Sequence, residues 1–146
     1  MIHQGDTMDP NGLLKYARPI EVDEVAVRYR DVPIVLCHLG NPWVEETAEV
    51  VYKNENVYAD TSGLLGPPSL PYYARMITEA RERLEGVLAY IGTPDRLLFG
   101  SDWPLLSIDS SLSLVEGLRI PEEDRLAILG RNARRLFRLP APGPVA

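Results

Sequence analysis

The side chains best suited to chemistry sit at the ends of short apolar runs. His3 and His38 are the only histidines in the chain, and they close Met1-Ile2-His3 and Pro33-Ile34-Val35-Leu36-Cys37-His38. Asp60 closes Asn56-Val57-Tyr58-Ala59-Asp60, and Asp102 follows Arg96-Leu97-Leu98-Phe99-Gly100-Ser101. Imidazole nitrogen and carboxylate oxygen can hold a divalent ion while leaving a coordination position open. A bound ion would bring the pKa of its water toward neutrality, and a neighbouring histidine could orient that water or move a proton. Each residue also has a plainer use. A single histidine at a strand end is commonly a hydrogen-bonded structural residue. Asp60, followed by Thr61-Ser62-Gly63, fits a cap on the next turn. Cys37, inside an apolar run, fits a buried structural thiol.

The elements that must position these groups alternate in type. Four short apolar runs read as strands: 1–3, 33–38, 56–60 and 96–100. Between them the apolar residues take helical spacing. Val22, Val25, Ala26 and Tyr29 share one face, as do Val44, Thr47, Ala48, Val51 and Tyr52. From Leu70 to Ile91, the residues Tyr73, Met76, Ile77, Ala80, Leu84, Leu88 and Ile91 line one side. Shorter helical patterns follow around Leu112–Leu118, Leu126–Leu129 and Ala133–Phe137. Strands that are apolar throughout and joined by helices form parallel sheets covered by helices. In such sheets the chemistry gathers at the C-terminal ends of the strands, where His3, His38, Asp60 and Asp102 fall.

Composition narrows the function classes. Over 146 residues, 45% are hydrophobic and 25% charged, a soluble globular balance, and the net charge is -6. An acidic chain lacks the electrostatic footprint for nucleic acid or anionic membranes. No apolar run approaches the roughly 18 residues of a membrane span, and no signal peptide is visible at the N-terminus. A single cysteine permits no intrachain disulfide, consistent with a cytoplasmic location. Residues 1–139 read as one domain, and 140–146, rich in proline and small residues, as a disordered tail.

The local words carry more than the spacing. Thr93-Pro94-Asp95-Arg96-Leu97-Leu98-Phe99-Gly100-Ser101-Asp102-Trp103-Pro104 resembles the final-strand motif of the amidohydrolase-related family, the branch with aminocarboxymuconate semialdehyde decarboxylase, benzoate-type decarboxylases and lactone hydrolases. Ile34 to Trp43 resembles that family's sixth-strand motif and Asn56 to Gly63 its seventh, while Gly130 to Phe137 is similar to its closing helix. The resemblance covers His3 to about Leu139, with four motifs in order. An unrelated α/β binding module would leave that order to coincidence.

The resemblance implies an α/β, (β/α)8 TIM-barrel-type fold, of which this chain carries the C-terminal half with about four parallel strands. It implies one divalent metal, often zinc. His3 then matches a fifth-strand metal ligand and His38 a sixth-strand residue that assists catalysis. Asp102 matches an eighth-strand metal ligand or proton-transfer residue. Trp43, Tyr16 and Arg18 would lie in loops facing the same mouth and contact a small-molecule substrate. The implied activity is hydrolysis or decarboxylation of a small carboxylate, amide or lactone. The chain departs from the family pattern in having no His-x-His pair and no counterpart of the first four strands. The expected result is an incomplete site, with self-association through open sheet edges. The alternative is a non-catalytic remnant or interaction domain that keeps the half-barrel fold.

Overall fold

The computed structural model describes residues 1–140. Two 3-10 turns, Leu14–Ala17 and Pro19–Val22, lead into α1 (Asp23–Arg28). Then come β1 (Ile34–Leu36), α2 (Val44–Lys53), β2 (Val57–Asp60), α3 (Tyr73–Ile91) and β3 (Leu97–Leu98). The helices α4 (Ile108–Glu116), α5 (Glu122–Leu126) and α6 (Asn132–Phe137) follow, with a π-helical turn at Ala127–Arg131. The tail expected at 140–146 lies outside the described residues except for Pro140.

The three strands form a parallel sheet in the order β1-β2-β3. Ile34 pairs with Val57, and Ala59 with Leu97. The strand expected at 1–3 shrinks to one parallel bridge, Ile2 to Leu36. There Ile2 N–H donates to Val35 O at 2.8 Å, and Cys37 N–H to Ile2 O at 2.9 Å. The other strands are also shorter than their apolar runs. After Leu36 the chain turns at once into a 3-10 turn, Cys37–Gly40, which lifts His38 out of the sheet ladder.

Helices cover the sheet because their apolar stripes need burial. On α3, Ala80, Leu84, Val87 and Ile91 are buried, with Tyr73, Met76, Ile77 and Leu88 partly so. On α2, Val44, Thr47, Ala48, Val50 and Val51 are buried. These side chains meet Leu36, Val57, Ala59 and Leu97 from the strands in one core. Each fully buried aliphatic side chain contributes about 1.5–3 kcal/mol. α3 ends at Gly92, whose φ of 71° is the left-handed cap that glycine adopts without steric cost.

Buried amides tie the layers to the sheet. Asn132 on α6, fully buried, donates to Pro94 O at 2.8 Å and Leu97 O at 2.9 Å, pinning the start of β3. Arg96 reaches the carbonyls of Val51 and Asn54 at the end of α2. The outer side of β3 is engaged as well, because Phe99 N–H donates to Ile128 O in the π-helical turn at 2.9 Å.

Candidate active site

His3, His38 and Asp102 line one cavity of about 330 Å³ at the C-terminal ends of the strands. Asp6, Asn41 and Gly63 complete much of its wall. A second cavity of about 320 Å³ adjoins it and shares Asp6, Asn41 and Gly63. Leu39, Leu64, Leu65, Leu70 and Met76 give the second cavity an apolar side, and Arg83 and Glu79 also line it. Arg83 donates to Asn41 Oδ1 at 2.9 Å, so an amide common to both cavities is fixed by the cation.

His38 owes its placement to an unfavourable backbone held by a buried carboxylate. Its φ of 62° and ψ of 21° lie in the left-handed region, which costs a non-glycine residue about 1–3 kcal/mol. The Oδ1 atom of Asp60 accepts the His38 N–H at 2.9 Å and the Ser62 N–H at 3.0 Å. Asp60 is therefore the turn cap expected from Asp60-Thr61-Ser62-Gly63, and it reaches across to the neighbouring strand end as well. Ser62 Oγ donates to the same Oδ1 at 2.5 Å and lies 2.8 Å from His38 Nδ1. Gly63 leaves room for the ring. A Cβ there would fall 2.5 Å from His38 Nδ1, and its φ of 64° also favours glycine.

The His3 ring meets the His38 ring edge-on, with centroids 4.9 Å apart. His3 Nε2 lies 2.9 Å from Asp6 O. Asp102 sits in a turn at φ 61°, where its carbonyl accepts the Leu105 N–H at 2.9 Å. Cys37 lies beside this centre without nucleophilic character. Burial, together with the charge of Asp60 and a hydrogen bond to it, pushes its thiol up to about 12, so the sulfur stays protonated.

The other expected substrate residues, Arg18, Tyr16 and Trp43, are not among those that line this cavity. Arg18 is ion-paired with Glu46 of α2. Tyr16 is exposed, with Lys15 Nζ 4.6 Å from the centre of its ring. Trp43 directly precedes α2, its peptide carbonyl accepting from Glu46 and Thr47. Sequence reasoning missed Ser62, Asn41 and Arg83. Ser62 was within sight, two residues after an aspartate at a strand end. Nothing in its local sequence connects Arg83 of α3 with the loop after β1.

His3 and Asp102 have the donor chemistry of a metal site. Among the described residues, however, no three His, Cys, Asp or Glu side chains group closely enough to hold an ion. These residues alone do not fit a metal.

The profile of the family described as amidohydrolase matches residues 1–139. The chain belongs to the amidohydrolase family. A γ-resorcylate decarboxylase from Polaromonas sp. is 31% identical, over 77% of this chain and 36% of its own length. A zinc-bound amidohydrolase structure from Burkholderia multivorans superimposes with a TM-score of 0.70 at 27% identity, covering 84% of this chain and 49% of that one. A TIM-barrel protein from Bordetella bronchiseptica gives 0.67 at 27% identity, covering 94% and 44%. This amidohydrolase chain thus has the fold of part of a TIM barrel. It spans about a third of the decarboxylase it matches and about half of the solved structures. Among the described residues, no helix is long and apolar enough to cross a membrane.

Proposed function

We propose that this chain supplies His3, His38 and Asp102 to the active site of a metal-dependent amidohydrolase-family hydrolase or decarboxylase acting on a small carboxylate, amide or lactone. The convergence of these three side chains on one cavity carries the reading. His38 is the proton-handling residue and orients water or substrate. Asp102 stands across the same cavity as a second proton-transfer or ligand group. His3 and Asp102 are the donors this chain would offer to a divalent ion, zinc first. These residues by themselves do not complete its ligand set. The apolar side of the adjoining cavity suits the body of a small aromatic or aliphatic acid, with Arg83 near its carboxylate. The likeness to a γ-resorcylate decarboxylase favours a resorcylate among such acids.

A second reading has a geometric observation behind it. Among the described residues no three ligating side chains group closely enough to hold an ion, which favours a chain that keeps the fold without turnover by itself.

One assay separates the two readings. The purified chain is supplied with zinc or manganese and offered hydroxybenzoates and lactones, with release of CO2 or acid followed. The catalytic reading expects release that falls at least about 100-fold in His38→Asn, the range of a lost general acid or base. Equal background in wild type and variant would remove catalysis from this chain.

A further inference from the structure

A buried chain of polar atoms runs from His38 Nδ1 through Ser62 Oγ to Asp60 Oδ1. We infer that Ser62 is a positioning residue, anchored by Asp60, that fixes His38 in the tautomer with its proton on Nδ1 and leaves Nε2 as the nitrogen that works in the cavity.

The direction of the chain follows from the donors. Asp60 Oδ1 already accepts two backbone N–H groups, from His38 and Ser62. Those groups can only donate, so Oδ1 can only accept. Its 2.5 Å contact with Ser62 Oγ therefore requires the serine hydroxyl to donate toward Asp60. The hydroxyl has a single hydrogen, so its oxygen must accept at the 2.8 Å contact with His38. The donor there is Nδ1–H. In a neutral imidazole this leaves the lone pair on Nε2, which makes no hydrogen bond among the described residues, while the ring lines the cavity.

The surroundings hold this arrangement rather than merely permit it. Asp60 and Ser62 are 3% and 6% exposed, so water does not compete for these groups. Gly63 and Gly100 leave the space. A Cβ on Gly100 would come within 2.9 Å of the Ser62 Cβ, and one on Gly63 would strike His38 Nδ1. The consequence for catalysis rests on the reading of His38 given above. A proton taken from substrate or water goes to Nε2 and makes an imidazolium. Nδ1–H still donates to Ser62, so neither the serine nor the aspartate changes protonation as His38 turns over.

The test does not depend on turnover. The chain has only two histidines, so a long-range 1H–15N correlation spectrum of the 15N-labelled chain, without metal or substrate, reports both rings. His3→Gln assigns them. Neutral His38 is expected with its proton on Nδ1. Ser62→Ala is expected to shift it toward the Nε2–H form that free imidazole side chains prefer. Wild-type His38 protonated on Nε2, or a folded Ser62→Ala with an unchanged tautomer, would overturn the assignment. The wild-type spectrum decides even if the variant fails to fold. A fixed tautomer with no turnover would defeat the catalytic reading alone, and turnover with the other tautomer would defeat this one alone.

Discussion

The two walls of the cavity are built differently. The wall at the ends of β1 and β2 is closed by buried hydrogen bonds, with Asp60 only 3% exposed and gathering His38 and Ser62 on one oxygen. The wall after β3 carries Asp102 with no side-chain hydrogen bond among the described residues. Its neighbours Trp103 and Leu105 are 69% and 78% exposed. One wall is preorganised by its own residues. The other presents a carboxylate and an apolar rim that this chain does not cover. A histidine that must keep one orientation belongs on the first, and a group completed by contacts from elsewhere fits the second.

The largest expected effect that would sharpen this contrast is on stability. Asp60→Ala leaves the buried N–H groups of His38 and Ser62 without their acceptor. At about 1–3 kcal/mol per stranded group, a loss of roughly 2–6 kcal/mol is expected in urea unfolding. Asp102→Ala, on the other wall, should change stability by no more than about 1 kcal/mol while abolishing any turnover. Equal losses in the two variants would erase the distinction. Next in size is association. Copies of the chain are expected to self-associate through the apolar rim and sheet edges. Trp103→Ser with Leu105→Ser should weaken this in sedimentation across a concentration series, with the monomer nearly as stable as before.

The smallest effect lies in the helical layer behind the second wall. Arg119, just after α4, donates through its backbone and guanidinium to Glu85 of α3, which holds the Glu85 carboxyl below its ordinary value of 4.5. A lowered folded-state pKa stabilises the fold above the ordinary value, and that stabilisation fades as pH falls through the lower one. Glu85→Gln should therefore flatten the acid limb of a stability profile below about pH 4.5. It should leave neutral stability slightly reduced. A limb unchanged by the variant would remove this pair from the account.

Much of the fold was legible in the residues. The helical stripes of α2 and α3 became their buried faces, and His3, His38 and Asp102 fell at the mouth of a parallel sheet. Strand lengths were not legible. Pro33 to His38 is apolar to its end, yet the chain leaves the ladder at Cys37, because the His38 backbone is recruited by a carboxylate on the next strand. That carboxylate also shows why the centre was read only in part. Asp60-Thr61-Ser62-Gly63 looks the same whether its aspartate caps a turn or also braces a histidine 22 residues earlier in the chain. Only the parallel register of β1 and β2, which sets the two strand ends side by side, separates those uses. For Tyr16, Arg18 and Trp43 the family resemblance implies a place in loops facing the mouth, and side-chain contacts cannot be read from loop position. Ion pairing with Glu46 takes Arg18, a pairing no spacing rule would show.

The two bonds from Asn132 to Pro94 and Leu97 have a consequence for how the molecule assembles. The residue that clamps the entry of β3 is made 35 positions after the strand it clamps. During synthesis β1 and β2 can pair and seat α2 and α3, and β3 can join them through β2 and Arg96, but its entry at Pro94 and Leu97 stays unclamped until α6 has emerged. Hydrogen exchange should therefore find the Leu97 and Leu98 amides opening together with α6, as one cooperative unit separate from the β1–β2 half.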